Sequence, residues 1–448
     1  MNAPGAPTRG PWGPPRRGAR IGPYAMQEYV DLDARGYWAR VIRCTTPPGA
    51  TWPADAENTL RIWDEIDGEN ELPPWREHVA VKVLRPEHVG QQEFFDAFAR
   101  EATFLQSLMP SGSVNPLLEF GFALSSSQDG AMHYATEPVA TIEEFNRKSA
   151  KHCAAGNVPY LVLGYLPAHY SILSIARMWG EWEGVPPTLP LLQKLDIAEQ
   201  FFTFLAFAQE QGVYYLDHKP EHLYWIRGAG GQAIAMIDFN SSQAGKNDAS
   251  KAEKDCSNAF AALAYPLFTG WALSNNPVMA RIATSVDVPD LTQEGIWDVS
   301  TGHVQTYFRE HFVPELHDEV LRLILSWGLS KDTPVNGGPS RRATYTNELC
   351  KRLGMTASQL SASRGPAAIA DVFGAYREKL EIESRLTEAI AELTLTIDEA
   401  QRILEGARIA CEEVIASTPE LRAGAVLQSE LLRLHSRLEL FWKHRMLP

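Results

Sequence analysis

The chain has 448 residues, 45% of them hydrophobic and 21% charged, with a formal net charge of −14. That length suits two or three domains, and the composition is that of a globular protein with ample material for a core. The acidic balance excludes a general binder of nucleic acid or of an anionic membrane surface, because both require basic surface.

Cys44, Cys153, Cys256, Cys350 and Cys411 show no CxxC or Cys/His ligand spacing. They predict neither a disulfide framework nor a zinc site, and a reducing, cytoplasmic home. The first residues carry no apolar signal-peptide core. The longest apolar stretch, 258–273, is interrupted by Pro266 and Gly270 and falls short of a membrane span. A soluble protein with no membrane partner is expected.

Residues 1–22 are rich in Pro, Gly and Arg, have almost nothing to bury, and are expected to be disordered. Strand-like segments follow at 37–44, 78–84, 116–124 and 160–166, with one helix among them at 91–109. Two insertions break that series: 45–77 is acidic and Pro-rich, and 125–158 is Ser-rich and then helix-like. From about 188 onward the pattern turns helical, starting with 189–212. A β-rich part with one helix, followed by a helical part, predicts an α+β chain of two lobes, 23–166 and 167–360. A linker is expected over 361–375 and a helical tail over 376–448. In the tail, Leu386, Ile390, Leu393, Ile397, Ala400, Leu404, Ala407, Cys411 and Val414 alternate at steps of four and three. That is a heptad seam. With a second helix near 419–445, it predicts either a helical hairpin packed on its own domain or a coiled coil that joins a second copy or a partner.

Several charges sit where apolar residues belong. Lys82 lies inside "VAVKVL", a strand whose two faces both read as buried, and a buried ammonium is costly unless paired. In the helix at 91–109 the apolar stripe of Phe94, Phe98, Leu105 and Leu108 gives one of its positions to Glu101. Each charge is best explained by the other, although on these two residues alone a structural ion pair is the simpler account. Farther on, "AIAMIDFN" is an apolar strand ending in Asp238, and Asp217 opens the "LYWI" strand that pairs with it across "RGAGGQ". Such a hairpin brings two carboxylates to one edge, an arrangement suited to a divalent metal and phosphate.

Over roughly residues 24–355 these motifs, in this order and spacing, resemble the protein kinase superfamily. "VAVKVL" resembles the strand-lysine motif, and Glu101 stands where the helix glutamate would be. "YLDHKPEH" is similar to the catalytic loop, with Asp217 as catalytic aspartate and Lys219 as loop lysine, and "DFN" is similar to the DFG motif, with Asp238 as metal ligand. "DCSNAFAALAYPLFTG" resembles the central helix that begins at a buried aspartate, here Asp255. The resemblance implies a bilobal kinase-like fold, a bound ATP and Mg²⁺ or Mn²⁺. It places Lys82, Glu101, Gly36, Val41, Ala80, Leu163 (as gatekeeper), Gly164, Tyr165 and Tyr224 about the nucleotide.

The departures from the pattern are specific. Of the Gly-rich loop, "ARGYWARV" keeps Gly36 and has Ala34 and Ala39 in place of the other two glycines. Tyr215 and Leu216 stand where His and Arg precede the catalytic aspartate, so no arginine is there to receive an activation-loop phosphate. His222 replaces the asparagine that would hold a second metal, and imidazole suits Mn²⁺ better than Mg²⁺. Only 16 residues separate Asp238 from Asp255, without an APE-like motif, which leaves little platform for a peptide. Three functions remain open on sequence: a kinase-like phosphotransferase acting on protein Ser/Thr or on itself, a pseudokinase scaffold serving the tail, and a kinase of a small-molecule hydroxyl.

Overall fold

The computed structural model describes residues 19–29, 38–68, 73–124, 133–172, 189–246, 248–269, 318–329, 341–361 and 365–417. The architecture is α+β. The first half is built on strands β1 (Arg20–Ile21), β2 (Tyr24–Tyr29), β3 (Ala39–Thr45), β4 (His78–Leu84), β5 (Leu117–Ala123), β6 (His133–Tyr134), β7 (Thr136–Pro138) and β8 (Val158–Gly164). They form one sheet in the order β6-β1-β2-β3-β4-β8-β5-β7. β4 lies between β3 and β8, in register Val41↔Lys82 on one side and Lys82↔Leu161 on the other. Every residue of β4 after His78 is buried, as its unbroken apolar run requires of a central strand.

Among the described residues, three helices of two turns or more belong to this half, where the sequence predicts one outside the insertions. α1 (Ala54–Asp67) occupies the 45–77 insertion and is followed by the single turn α2 (Pro74–Glu77). The acidic, proline-flanked composition hides an amphipathic helix. Ala56, Leu60, Trp63 and Ile66 recur at helical steps and are buried, while Asp55, Glu57 and Glu65 are exposed. α3 (Gln92–Leu108) is the expected helix, and it buries Phe95, Phe98, Glu101, Leu105 and Leu108. α4 (Ile142–Ala154) fills the helix-like part of the second insertion, capped by the Thr141 hydroxyl on the Glu144 N–H.

The expected disorder over 1–22 is corrected at its C-terminal end. β1 pairs antiparallel with β2 and parallel with β6, and Ala19 and Ile21 are buried. Ile21 supplies the apolar anchor that the Pro/Gly/Arg composition conceals. Residues 1–18 lie outside the described residues.

The second half comprises α5 (Leu191–Glu210), β9 (Val213–Tyr214), the hairpin β10 (Leu223–Gly228) and β11 (Gly231–Met236), and β12 (Gln243–Ala244). Then come α6 (Ala249–Ala259), a wide π turn (Phe260–Ala264) and α7 (Tyr265–Thr269), which together form the expected core helix as far as 269. The wide turn falls directly before Pro266, which has no N–H to donate to the preceding turn. α8 (Glu319–Leu329), α9 (Arg341–Leu353) and α10 (Ala357–Ser361) follow. Among the described residues no helix is long and apolar enough to cross a membrane. Cys44, Cys153, Cys256 and Cys350 are free thiols.

The chain divides into two compact units at Arg377/Glu378. α11 runs unbroken over Pro366–Ser417, so the linker expected at 361–375 is helix from Pro366 onward. Within the first unit its opening turns bury Ala368, Ile369, Val372, Phe373 and Tyr376. Phe373 stacks on Phe202, Phe260 and Phe268, and the Tyr376 hydroxyl meets Asp318. Within the second unit Ile382, Leu386 and Ile409 are exposed. The predicted second tail helix, 419–445, lies outside the described residues.

Phe373→Ala should therefore lower the unfolding free energy by about 3–5 kcal/mol, the usual cost of emptying a buried aromatic site. Ending the chain after Arg377 should leave the urea midpoint of the first unit near its full-length value. No loss from Phe373→Ala would show that the opening turns of α11 are not part of the first unit's core.

Candidate active site

The centre of the site is the ammonium of Lys82. Both faces of β4 are covered, so the side chain has no route to water and must meet its charge requirement inside the protein. Lys82 Nζ donates to Glu101 Oε1 at 2.8 Å and to Asp238 Oδ1 at 2.8 Å, and it lies 5.4 Å from the centroid of the Trp38 ring. Trp38 is itself wedged against Phe94 and Phe98 of α3. One cation thus joins the sheet, a helix and the end of the distant hairpin. Burial is the largest influence on all three ionisable groups. It opposes the charge of Lys82, but the two carboxylates outweigh it and raise the ammonium's pKa. It raises Glu101, against the pull of Lys82 and with the push of Asp238. It is overcome at Asp238, which Lys82 holds below the ordinary carboxylate value.

Among the described residues, two other than glycine have positive φ, Leu216 at 63° and Asp238 at 61°. Such backbone is unfavourable for both types, and strain of this kind persists only where surrounding contacts dictate it. At Leu216 the contact is Asp255. Its fully buried carboxylate accepts from the Leu216 N–H at 2.9 Å, the Tyr215 N–H at 3.4 Å, Gln209 Nε2 at 3.2 Å and the His218 ring at 2.6 Å. Burial opposes ionisation of Asp255, yet the His218 hydrogen bond leads a group of contacts that outweigh it and lower its pKa. α6 therefore grips the loop that carries Asp217.

That loop and the end of the hairpin meet at His222. Its Nδ1 lies 3.0 Å from Tyr215 Oη and 3.2 Å from the Asp217 carbonyl, and its Nε2 lies 3.7 Å from Asp238 Oδ2. Tyr215 Oη also donates to the Ile237 carbonyl at 2.6 Å, and its ring packs edge-on against Phe239. Burial, reinforced by Asp238 and Asp217, keeps the phenol protonated by raising its pKa well above the ordinary value. Lys219 Nζ donates to Asp217 Oδ2 at 3.1 Å in a half-exposed pair that is free to exchange partners.

Lys82, Glu101, Asp217, Lys219, His222 and Asp238 thus form one chain of contacts. Of the residues assigned to a nucleotide by resemblance, Val41 lies opposite Lys82 across β3 and β4, and Ala80 pairs with Leu163 across β4 and β8. Gly164 is too closely backed for a side chain, since a Cβ would meet Asn115 Oδ1 at 2.9 Å. The Tyr165 ring takes the edge of His78 and the guanidinium of Arg43. Tyr224 is largely buried and bridges to Ser171. Gly36 lies outside the described residues. Sequence reasoning treats Tyr215 only as a replacement and does not single out Trp38 or His218. Trp38 and His218 take partners from other elements, and Tyr215 joins His222 to Ile237 and Phe239 at the end of the hairpin, which local spacing does not mark.

Two facing atoms, Asp238 Oδ2 and His222 Nε2, fit a divalent cation. With ligand distances of about 2.1 Å, a cation spans donors up to about 4.2 Å apart, and the pair stands at 3.7 Å. Among the described residues no group of three or more His, Cys, Asp or Glu side chains forms a complete metal cage. The pair supplies two donor atoms, so other groups would have to complete any cation's shell.

No family model and no curated protein matches the sequence. Among solved structures, the chain is similar to mutant forms of the Mycobacterium tuberculosis PknI kinase domain. One double mutant and a single mutant each share 16% identity with it, covering 60% of this chain and 86% of theirs at a TM-score of 0.34. A second double mutant shares 14%, covering 81% and 98% at 0.37. Likeness at this level defines neither family nor function.

Because Asp255 ionises more readily folded than unfolded, its contribution is complete above the ordinary carboxylate value. It is lost as the pH falls through the lower folded value. Asp255→Asn should cost about 1–3 kcal/mol at pH 7 and flatten the fall of stability below about pH 4. Urea titrations at pH 7 and pH 3.5 measure both. An unchanged acid limb would mean that Asp255 does not carry it.

Proposed function

We propose that the protein is a divergent kinase-like phosphotransferase that passes the γ-phosphoryl of ATP to a Ser or Thr hydroxyl of a protein, or of itself. The observation that supports this most directly is the sharing of Lys82 between Glu101 and Asp238, two carboxylates from different elements on one buried ammonium. A structural ion pair needs one carboxylate. The second leaves an excess negative charge at a half-buried edge, which suits the divalent cation that would accompany a polyphosphate.

In this reading a bound ATP supplies the phosphoryl group, and Mg²⁺ or Mn²⁺ neutralises its charge. Lys82, oriented by Glu101, holds phosphate oxygens. Asp238 and His222 face the cation. Asp217 orients the acceptor hydroxyl and takes its proton, while Lys219, released from Asp217, stabilises the transferring group. Binding requires rearrangement first, because Glu101, Asp238 and the Trp38 ring already surround the Lys82 ammonium.

A small-molecule hydroxyl is the second reading for the acceptor. The stretch between Asp238 and α6 is short, and Gln243–Ala244 within it pairs with Val213–Tyr214. That pairing holds the segment to the loop, where a peptide platform would otherwise extend.

Asp217→Ala should abolish phosphoryl transfer, lowering kcat at least about 100-fold, while nucleotide affinity by calorimetry stays within a few-fold of wild type. Trp38→Ala should tighten nucleotide binding by about 2–5-fold, as removing the cation–π contact frees Lys82. Wild type that binds no ATP with Mg²⁺ or Mn²⁺ at millimolar concentration would refute the phosphotransferase and favour the pseudokinase scaffold.

A further inference from the structure

The hydroxyl of Tyr215 has one hydrogen, and its neighbours determine where that hydrogen goes. The Ile237 carbonyl can only accept, and at 2.6 Å it takes the Tyr215 O–H. Toward His222 Nδ1, 3.0 Å away, Tyr215 Oη is left with lone pairs alone. The other atom near Nδ1, the Asp217 carbonyl oxygen at 3.2 Å, is also only an acceptor. Two acceptors and no donor surround Nδ1, so Nδ1 carries the ring hydrogen. In the neutral imidazole Nε2 then presents a bare lone pair, and it faces Asp238 Oδ2 across 3.7 Å.

In that neutral form two lone pairs face each other with nothing attractive between them. The separation is too long for a direct hydrogen bond. It is right for two ligands on one cation, and a ligating histidine ordinarily donates its other N–H to an oxygen that fixes the ring. Here two oxygens do so, one on the Tyr215 side chain and one on the backbone of Asp217. Tyr215 is held in turn by its buried ring against Phe239, so the same side chain ties the residue before Asp238 to the ring that opposes Asp238.

We infer that Tyr215 is a positioning residue that locks His222 in the Nδ1–H form, so that His222 Nε2 and Asp238 Oδ2 together take one divalent cation of the nitrogen-tolerant class, Mn²⁺ ahead of Mg²⁺. The inference rests on the phosphotransferase reading for the phosphate oxygens that complete the shell. It adds the ligand atom, its tautomer and the residue that sets it. The preference follows from the donor set, because one imidazole nitrogen beside one carboxylate suits manganese better than magnesium.

The tautomer can be read without metal, activity or any variant. Long-range ¹⁵N–¹H spectra of the metal-free full chain, labelled at histidine and assigned with His222→Asn, should show His222 as Nδ1–H. An Nε2–H ring, or a doubly protonated ring at pH 8, overturns the proposal. Pulsed EPR of Mn²⁺ with a non-hydrolysable ATP analogue should then show a nitrogen coupling from imidazole, present in wild type and lost in His222→Asn. Tyr215→Phe keeps the ring and loses the hydroxyl; it should weaken Mn²⁺ about 10-fold or more and Mg²⁺ less. If Mn²⁺ and the analogue bind without nitrogen coupling, His222 is not a ligand and the proposal falls while the phosphotransferase reading stands. If neither binds, both fall together.

Discussion

A lysine on a strand covered on both faces has no solvent to hydrate its ammonium, and the cost of leaving it unpaired is several kcal/mol. Lys82 meets that constraint by recruiting Glu101 from α3 and Asp238 from beyond β11. Much of the arrangement follows from this recruitment. α3 must turn an acidic position inward, in a stripe otherwise made of Phe95, Phe98, Leu105 and Leu108. The hairpin must end so that Asp238 reaches across the two halves of the chain, and it does so with positive φ. The strain at Asp238 is offset by the ion pair it permits.

A second buried carboxylate organises the other wall. Asp255 takes two consecutive backbone N–H groups, from Tyr215 and Leu216, and so holds the turn in which Leu216 also has positive φ. The His218 ring and Gln209 complete its hydrogen bonds. Asp255 does not touch the acids of the site, yet it fixes the backbone from which Asp217 and Tyr215 project. The site therefore rests on two buried charges with opposite tasks. Lys82 gathers side chains, and Asp255 gathers backbone.

The strands around Lys82, α3, α5 and the hairpin were legible because each combines a clear hydrophobic period with an abrupt end. The Lys82–Glu101 contact was legible because each charge interrupts an apolar face. α1 was not, because proline and acidic residues at its flanks mask the spacing of Ala56, Leu60, Trp63 and Ile66. Nor could the sequence show what α1 does. Its last turn backs the hairpin so closely that a Cβ at Gly228 would lie 2.3 Å from the Ile66 carbonyl and one at Gly230 1.8 Å from that of Glu65. The Gly230 N–H also donates to Ile66 at 3.0 Å. What reads as an interruption of the strand series is the support behind the strand that leads to Asp238. The start of α11 was missed for a related reason. Gly365 and Pro366 look like a linker, whereas proline at a first helical position is well tolerated.

The replacements around Asp217 take on a different meaning once their partners are known. Tyr215 in place of histidine and His222 in place of asparagine look like two independent losses from a kinase-like loop. In space they are one unit, joined at 3.0 Å, and each makes the other useful. The phenol is long enough to reach the Ile237 carbonyl and still face His222 Nδ1. A tyrosine there without His222 would leave an oxygen lone pair idle in a buried place. A His222 without Tyr215 would keep only the Asp217 carbonyl to orient its ring. Two buried side chains that satisfy each other's hydrogen bonds hold the loop and the end of the hairpin in one arrangement.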